Sequence, residues 1–562
     1  MNNIGIAVTI FGGLGLFLYG MKIMSESLQM ATGDGLRNVL LKVTNNRVLG
    51  VITGFFITGV IQSSSATTVM LVSFVNAGLL NLQQSIGIIL GANIGTTITG
   101  WIVAIFGFKV KIASFALPAI ALGFFVRFIR YEKVQQWGNV LLGFGILFLG
   151  LSIMKNSVNV LKGSESVMNF MAAYKADSIP STLAVVLIGG IVTMIIQSSS
   201  ATMAMTMALA YNGLIDFPTS CALILGENIG TTITANIASI GTTTAAKRTA
   251  RVHFLFNIIG VIWVLLIFKA FFIPLIDAIV PGDPYSTSAS SSVIADHMAG
   301  FHTVFNITNT VLFLPFVNML AKIATKLVTD KDKKTDEDEF HLKYISTALL
   351  HTPSINIDQA KLETRRMIEI VSEMFELVIE VFQNPTTKLG KIIKSIQEKE
   401  NATDILEKEI SEFLVRVSKH NISSDQSVEI STLLHSVNEI ERIGDHCEIL
   451  MKLIRRKYDN KLDFSEKADK EIMEIAIKVR EFLQILLENI SEYSNIIDDA
   501  KLVENRIDEL RKEFRKKHIS RLNEGRCDVP SGLLYIDMLT SFEKIGDHAF
   551  NIAESISGRR VY

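Results

Sequence analysis

The sequence predicts an all-α protein in two parts: a membrane part of many apolar segments, and a soluble helical bundle after it. Between Val48 and Phe108 there is no Asp, Glu, Lys or Arg. This run is longer than the roughly 20 apolar residues that one membrane-crossing helix needs. From about residue 331 onward, charges of both signs are frequent, and apolar residues between them recur at spacings of three and four. That spacing is typical of amphipathic helices in water.

Apolar segments follow one another through the first 320 residues. They lie at approximately 4–24, 48–80, 84–107, 110–128, 138–154, 182–213, 218–243, 253–280 and 300–320. Several are interrupted at mid-length by Gly, Ser, Thr or Asn. Facing lipid, such breaks would leave backbone groups unpaired. We therefore expect re-entrant hairpins or broken helices around an enclosed cavity. The first segment lacks a charged start and a cleavage site, which favours a retained membrane segment over a signal peptide.

Two motifs recur at one common interval, which predicts a duplicated membrane unit. Gln-Ser-Ser-Ser-Ala-Thr occurs at 62–67 and 197–202, and Gly-x-Asn-Ile-Gly-Thr-Thr-Ile-Thr at 91–99 and 226–234. Both intervals are 135 residues (197 − 62 and 226 − 91). Duplicated membrane units with interruptions at matching places are typical of transporters, with the sites at the interface between the repeats. We predict that the two repeats have inverted topology.

The predicted domain boundaries follow from these patterns. They are 1–136 for membrane repeat 1, 137–325 for membrane repeat 2 with the final transmembrane helices, 326–354 for a linker and 355–562 for the helical domain. The linker begins near a basic cluster at Lys322, Lys326, Lys331, Lys333 and Lys334. Basic residues beside a final membrane segment favour a cytoplasmic exit. We expect a multi-pass protein of the cytoplasmic membrane with its C-terminal domain in the cytoplasm.

Three consecutive serines cannot share one face of a helix, because successive side chains rotate by about 100°. The serine run is therefore expected at a turn or a helix end inside a cavity. Hydroxyls both donate and accept hydrogen bonds, and the start of a helix adds free N–H groups and a partial positive charge. Two such segments facing each other suit a small oxyanion such as phosphate. The predicted phosphate-binding residues are Gln62, Ser63, Ser64, Ser65, Gln197, Ser198, Ser199 and Ser200.

The same segments carry oxygens suited to a hard cation such as sodium. Asn93, Thr96, Asn228 and Thr231 provide them at matched places in the two copies. An anion and a cation in one pocket offset each other's desolvation. Small polar residues can instead serve close helix packing, but the fixed interval between the two copies favours the site.

Two further features stand out in the second half. Glu227 replaces the Ala92 of the first copy, and a carboxylate in an apolar segment indicates a functional site. It is a candidate for sodium ligation, proton coupling or pairing with a buried donor, and the alternative is a side chain that reaches the interface. His-x-x-Phe-Asn occurs at 253–257 and 302–306. Its one-turn spacing favours interhelical hydrogen bonding over direct substrate contact.

The paired QSSSAT and G-x-NIGTT motifs resemble the type II sodium-dependent phosphate cotransporter family, over most of residues 1–325. The resemblance implies a sodium-coupled phosphate carrier with inverted repeats, in which these motifs form the substrate and ion sites. It extends the predicted sodium-binding residues to Thr67 and Thr202, so that the full set is Thr67, Asn93, Thr96, Thr202, Asn228 and Thr231. The short stretch 155–180 fits a bacterial member, because animal members have a long loop between the halves. Glu227 departs from the repeated pattern, which affects the expected number and nature of the coupling ions.

The C-terminal region resembles a PhoU-type domain, a helical regulator of phosphate uptake. The resemblance rests on Glu-Arg-Ile-Gly-Asp-His at 441–446 and Glu-Lys-Ile-Gly-Asp-His at 543–548, within two predicted three-helix units. In that family, E-x-x-x-D pairs ligate metal clusters, which implies a divalent or iron metal held by Glu441, Asp445, Glu543 and Asp547. The alternative is polar helix packing. Asn551 extends the second copy by one turn, whereas the first copy has Ile449 there.

The favoured function is sodium-coupled inward transport of phosphate, tuned by the helical domain. A phosphate exporter and a non-transporting phosphate receptor are the alternatives. The expected partners are inorganic phosphate, the lipid bilayer and a second copy of the chain in a homodimer. No basic stripe indicates nucleic acid, and no nucleophile–base group or nucleotide loop indicates an enzyme.

Overall fold

The structure is a computed structural model of the chain. It describes residues 3–32, 46–110, 113–161, 174–285, 292–329, 353–384, 389–419, 422–490 and 495–558, together with Leu40, Met168, Met171, His341, Leu342 and Ile345. Contacts within the chain form two units, Met1–Asp330 and Lys331–Tyr562. Lys331, Lys333 and Lys334 of the predicted linker lie outside the described residues.

The first unit is helical wherever it is described, apart from short turns. Its helices are α1 (Asn3–Thr32), α2 (Arg47–Ile61), α3 (Ser64–Asn76), α4 (Leu82–Ile102), α5 (Ala113–Val126), α6 (Glu132–Leu161), α7 (Ile179–Ile196), α8 (Ser199–Tyr211), α9 (Phe217–Gly230), α10 (Thr232–Ala238), α11 (Thr244–Ile267), α12 (Ile273–Ile279), α13 (Ser292–Phe313) and α14 (Val317–Leu327). A π-helical turn, Val103–Lys109, continues α4, and another, Phe268–Phe272, joins α11 to α12.

The described residues include six helical stretches long and apolar enough to cross a membrane. They are Gly5–Thr32, Leu82–Lys109, Lys133–Leu161, Ile179–Ile196, Thr244–Ile279 and Ser292–Leu327. Large apolar side chains cover their outer surface: Phe11 is 70 % exposed, Ile195 76 % and Leu266 81 %. A water-soluble surface rarely shows such apolar area, so this unit is a membrane protein, as predicted. By contrast, α2 and α3, with 15 and 13 residues, are each shorter than a full crossing.

Glycines set the close packing inside each repeat. A Cβ atom on Gly91 would overlap the carbonyl oxygen of Val51, and one on Gly226 would overlap that of Val186. The first glycine of each G-x-NIGTT motif therefore lets α4 lie directly on α2, and α9 on α7. This part of the duplicated motif is explained by helix packing.

The helices that begin the two repeats also pack together. Gly13 of α1 lies against Gly150 of α6, and Gly20 lies against Gly143. The pairing runs in opposite directions along the two helices, so α1 and α6 are antiparallel. Inverted repeats require this of equivalent helices, but inversion of the repeats as wholes stays a prediction.

The second unit consists of long amphipathic helices. They are α15 (Pro353–Gln383), α16 (Leu389–Ser418), α17 (Ser424–Asp459), α18 (Glu466–Asn489), α19 (Ile497–Asn523) and α20 (Val529–Ile556). The two predicted groups of three helices are α15–α17 and α18–α20. Phe375, Phe413, Phe482 and Phe542 are fully buried in one continuous core, and Phe375 and Phe542 stack edge to face across the two groups. A soluble helical bundle is what the charge pattern predicts.

Candidate functional site

The first Gln-Ser-Ser-Ser motif is a break between two helices. Helix α2 ends at Gln62, whose backbone is left-handed at φ 58° and ψ 24°. Its N–H donates to the carbonyl of Thr58 at 2.7 Å. Ser63 then turns extended, and its Oγ accepts a hydrogen bond from the N–H of Ala66 at 3.2 Å, which caps the start of α3. The serine run therefore lies at a helix start, as its spacing predicts.

The second motif repeats this geometry almost to the degree. Gln197 has φ 57° and ψ 23°, and Ser198 caps α8 by accepting from the N–H of Ala201 at 3.3 Å. In the described part of the first unit, these two glutamines are the non-glycine residues with positive φ. A left-handed backbone is unfavourable for most residues other than glycine, asparagine and aspartate. The same unfavourable conformation in both repeats therefore indicates that the glutamine side chain has a purpose at the break.

Each break leaves the beginning of a helix without a preceding helical turn. The first N–H groups of α3 and α8 have no partner within their own helices, and Ser64, Ser65, Ser199 and Ser200 lie in these first turns. Backbone N–H groups, hydroxyls and the positive end of the helix dipole together bind an oxyanion well.

The two glutamine side chains differ. The Gln62 side chain is buried, accepts from Thr99 Oγ1 at 3.0 Å and donates to the carbonyl of Gly59. The Gln197 side chain is exposed, and no hydrogen bond of it is found within the described ranges. The counterpart of Thr99 is Thr234, whose hydroxyl donates instead to the carbonyl of Thr231 at 2.9 Å. The first glutamine is therefore fixed and the second is free.

The repeats meet at the motifs. Ser65 Oγ of the first serine run lies 3.3 Å from Thr231 Oγ1 of the second G-x-NIGTT motif. Away from the motifs, Asn76 Oδ1 accepts from the N–H of Thr243 at 2.8 Å, which joins the repeats again. Among the described residues, no direct hydrogen bond joins the two serine runs to each other. The structure thus brings together one serine run and the opposite threonine.

The predicted sodium ligands are buried side chains with oxygen atoms on these same helices. Asn93 and Asn228 each donate Nδ2 to the carbonyl four residues earlier, at 2.9 and 2.8 Å, so each amide oxygen points away from its own helix turn. Thr67 and Thr202 donate to the carbonyls of the capping serines, both at 3.0 Å. Thr96 donates to the carbonyl of Ala92 at 3.0 Å. Three of these groups contact the helix breaks: Thr67 and Thr202 through the capping serines, and Thr231 through Ser65. Ligation of sodium by the six residues stays a prediction.

Glu227 is buried within the second repeat rather than at an interface. Its side chain is 2 % exposed, and Oε1 lies 2.7 Å from Thr206 Oγ1. Pairing with a buried donor was one of the predicted roles. Thr206 itself was missed by the sequence analysis. Alignment of the two repeats could have identified it. The residue 135 positions before Thr206 is Leu71, and the residue 135 positions before Glu227 is Ala92, so both positions are polar only in the second repeat.

The His-x-x-Phe-Asn pair behaves only partly as predicted. His302 Nε2 lies 3.4 Å from Asn228 Oδ1, an interhelical contact that reaches the candidate sodium ligands. The side chains of Asn257 and Asn306 instead donate within their own helices, to the backbone carbonyls of His253 and His302. Both ring nitrogens of His253 are buried without a partner in the described chain.

In the second unit, the two E-x-x-x-D motifs have different surroundings. Glu441 and Asp445 face further carboxylates on α16, including Asp404 and Glu407. Desolvation and then the charges of Asp445, Asp404 and Glu407 raise the pKa of Glu441 to about 7. Glu543 and Asp547 are instead paired with Arg511 at 3.4 Å and Lys544 at 2.7 Å. Within the described ranges, no group of three or more His, Cys, Asp or Glu has metal-binding geometry.

Asn551 serves the contact between the two three-helix groups. Its Nδ2 donates to Glu439 Oε2 at 2.7 Å, and His548 Nδ1 contacts the same oxygen at 2.9 Å. The rings of His446 and His548, the last residues of the two Asp-His pairs, stack at 5.5 Å. In this turn, polar helix packing accounts for the residue that extends the motif.

Comparison with known families agrees with the division into two units. The profile of the Na+/Pi-cotransporter family matches residues 16–156 and 166–275. The profile of the PhoU domain matches residues 364–454 and 470–556. Both copies of each duplicated motif lie within these ranges.

Relatives match either nearly the whole chain or a part of it. YjbB of Salmonella typhimurium, named as a candidate inorganic phosphate export protein, is 23 % identical over 97 % of this chain and 96 % of its own length. YqeW of Bacillus subtilis, whose name gives no activity, is 32 % identical over 56 % of this chain and 96 % of its own length. The rat sodium-dependent phosphate transport protein 2A is 37 % identical over 17 % of this chain and 15 % of its own.

Among solved structures, the regulatory protein PhoU of the phosphate transport system from Streptococcus pneumoniae matches 36 % of this chain and 95 % of its own, at 17 % identity and a TM-score of 0.33. The family assignment rests on the profiles and on the relative from Bacillus subtilis. The chain belongs to the Na+/Pi-cotransporter family and carries PhoU domains in its C-terminal part.

Proposed function

We propose that this protein transports inorganic phosphate across the cytoplasmic membrane, coupled to sodium, by alternating access between its two repeats. The observation that carries the proposal is the pair of identical helix breaks at Gln62 and Gln197, each followed by a serine-capped helix start. Broken helices at matched positions of two repeats place donors where an anion is held and released.

Phosphate is the substrate that these groups suit. The helix starts of α3 and α8 offer backbone N–H groups and serine hydroxyls to its oxygens. The proposed ligands are Gln62, Ser63, Ser64, Ser65, Gln197, Ser198, Ser199 and Ser200. Such a site does not need an arginine, because the partial positive charges of two helix starts together balance part of the negative charge of phosphate. The exposed Gln197 is free to move onto the substrate, whereas Gln62 is held by Thr99.

Sodium is proposed to bind beside the phosphate. Thr67, Asn93, Thr96, Thr202, Asn228 and Thr231 supply hydroxyl and amide oxygens, the atoms that hard cations prefer. The contact between Ser65 and Thr231 links a phosphate ligand to a sodium ligand of the other repeat. Glu227 is proposed to take part in ion coupling, because a buried carboxylate needs a compensating positive charge.

Export is the second candidate direction. It is favoured by the name of YjbB, which matches over nearly the full length of both chains. Sodium-coupled uptake is favoured by the name of the rat protein, which matches a shorter segment. The duplicated helix breaks argue against a receptor that does not transport, since a receptor has little use for two matched broken helices.

The C-terminal domain is proposed to lie in the cytoplasm and to regulate transport. Lys322 and Lys326 at the end of α14 are consistent with a cytoplasmic exit there. If a metal binds this domain, the first motif offers the better site: Glu441 and Asp445 face uncompensated carboxylates, whereas cations already pair with Glu543 and Asp547. A homodimer is part of the proposal.

The test is uptake of radiolabelled phosphate into proteoliposomes that contain the purified protein. An inward sodium gradient is compared with an equal potassium gradient for the wild type, Ser64→Ala and Ser199→Ala. We expect sodium-driven accumulation in the wild type and a loss of roughly tenfold or more in each variant, the usual effect of removing a hydrogen bond to a charged group. Equal uptake under both gradients would refute sodium coupling. Efflux with no uptake would show that the protein is an exporter.

A further inference from the structure

A buried oxygen cluster lies within the second repeat, below its helix break. Glu227 Oε1 lies 2.7 Å from Thr206 Oγ1, and that hydroxyl lies 2.9 Å from the carbonyl oxygen of Thr202. Glu227, Thr206 and Thr202 are each 2 % exposed. The three oxygens are contributed by α8 and α9.

The Glu227 carboxylate has little hydrogen-bonding support within this cluster. A threonine hydroxyl has one proton, and Thr206 has two oxygen acceptors within bonding distance. The carbonyl of Thr202 lies inside α8, where it also accepts the helical N–H of Thr206, whereas Oε1 of Glu227 depends on the shared hydroxyl proton. A buried carboxylate held in this way is stabilised by a bound cation or by a proton of its own.

No basic side chain of the neighbouring helices supplies that centre. Of the basic residues on α11, Arg248 donates to the carbonyl of Val328 and Arg251 to Asn236 Oδ1. On α13, His302 contacts Asn228 rather than Glu227. In the described chain, Glu227 forms no ion pair with any of these groups. A buried carboxylate of this kind is neutralised either by a bound cation or by a proton.

The first repeat has no such cluster. The residues equivalent to Glu227 and Thr206 are Ala92 and Leu71, which are both fully buried. Both members of the pair thus change together between the repeats.

The cluster is connected to the proposed phosphate site. Thr202 Oγ1 donates to the carbonyl of Ser198, the capping serine of α8. Thr206 lies two turns beyond Ser198, about 12 Å along a helix that rises 1.5 Å per residue. A cation held there would lie beside the helix whose start belongs to the proposed phosphate site.

From this geometry we propose that Glu227, Thr206 and the carbonyl of Thr202 form a sodium site that belongs to the second repeat alone. Anionic, hydroxyl and carbonyl oxygens are the ligands of a hard cation. This inference rests on the proposed function, because it specifies where one of the coupling ions binds. It adds Thr206 to the transport machinery and makes the two repeats unequal in ion binding.

The test measures phosphate exchange in proteoliposomes as a function of sodium concentration. The variants are Thr206→Val, which keeps the shape but removes the hydroxyl, and Glu227→Gln. The matched control is Ser73→Ala. It removes a buried hydroxyl from α3 that is bonded only within its own helix, to the carbonyl of Val69 at 3.1 Å.

We expect Thr206→Val to raise the sodium concentration for half-maximal exchange by about tenfold or more, and Glu227→Gln by more still. The phosphate concentration for half-maximal exchange, measured at saturating sodium, should change by less than about threefold. Ser73→Ala should resemble the wild type. The variants are checked for folding by size exclusion and thermal unfolding. If Glu227→Gln does not fold, Thr206→Val alone tests the proposed sodium site.

Three results would overturn the inference while leaving phosphate transport intact. The first is an unchanged sodium requirement in Thr206→Val. The second is a shift of the sodium and phosphate requirements together, as a general loss of structure would cause. The third is phosphate exchange that does not depend on sodium but loses its pH dependence in Glu227→Gln, which would assign the site to a proton. If the wild type transports no phosphate at all, the proposed function fails. The cation site is then decided by ²²Na⁺ binding to the purified protein, which Thr206→Val must weaken.

Discussion

The two membrane repeats share a backbone but differ in what their side chains do. Both break at a left-handed glutamine and restart at a capping serine. In the first repeat the glutamine is buried and held by Thr99, and apolar residues fill the space between α3 and α4. In the second repeat the glutamine is free, and Glu227 and Thr206 fill the equivalent space with polar atoms. Duplication has thus kept the geometry of the helix break and changed the groups around it.

The comparison suggests a division of roles between the repeats. In the proposed mechanism, the first copy keeps its helix start in place, while the second copy, with a free glutamine and a buried carboxylate, responds to the substrate and the ion. The helices agree with this division. α4 runs unbroken through Thr96, whereas the equivalent helix in the second repeat is interrupted at Thr231, between α9 and α10.

Moving the carboxylate to the first repeat should produce the largest effect on stability. Ala92→Glu buries a charge among apolar side chains where Leu71 offers no donor. The expected loss is about 3–5 kcal/mol in the free energy of unfolding, the usual effect of an uncompensated buried charge. It is read out as a lower thermal unfolding temperature in detergent. Adding Leu71→Thr should restore part of the loss. If Ala92→Glu is as stable as the wild type, the two repeats are equally able to hold a charge and the contrast fails.

The two glutamines should respond differently to substitution by glycine. Glycine adopts a left-handed backbone without strain, so Gln197→Gly should unfold at the same or a higher temperature than the wild type. Gln62→Gly gains the same relief of backbone strain but loses the hydrogen bond from Thr99. Its free energy of unfolding should therefore be about 1 kcal/mol lower than that of Gln197→Gly. Thermal unfolding of the two variants side by side measures the difference. Equal shifts would mean that the bond between Gln62 and Thr99 adds no stability.

The smallest effect is expected in the C-terminal unit, whose duplicated motifs are also unequal. The pKa of Glu441 is raised from its ordinary 4.5 to about 7. Because the folded protein then holds a proton that the unfolded chain releases, stability falls as the pH rises from about 4.5 to about 7. Glu441→Gln removes this dependence and should unfold at a higher temperature than the wild type at pH 8, with a much smaller difference at pH 5.

The matched control for that prediction is Glu543→Gln. This variant loses the ion pair with Arg511, so no stabilisation at pH 8 is expected. If both variants are stabilised equally at pH 8, the two motifs are electrostatically alike and the contrast between them is wrong.

Much of this architecture follows from local pattern. Uncharged apolar runs and helical periodicity predict the membrane part and the bundle, because burial in lipid or in a core depends on residue type along the chain. The position of the serine runs at helix starts follows from the rotation of successive side chains. The family resemblance stated from the duplicated motifs is confirmed by the profile matches.

What the sequence could not predict depends on contacts between distant helices. Thr206 has no feature of its own in an apolar helix, and it becomes notable only because α8 places it against Glu227. The same holds for Thr99, which distinguishes Gln62 from Gln197, and for Arg511, which distinguishes the two acidic motifs. Asn551 extends the metal-binding motif in the sequence, but in the structure its side chain donates a hydrogen bond to Glu439.

The central claim, that both repeats contribute to one phosphate site, is tested most directly by equilibrium binding of radiolabelled phosphate to the purified protein in sodium. Wild type, Ser64→Ala, Ser199→Ala and the double variant are compared for stoichiometry and affinity. A shared site predicts one phosphate per chain, with each single variant weakening that same binding by about tenfold. Two phosphates per chain in the wild type, with each single variant removing one and leaving the other unchanged, would contradict the account.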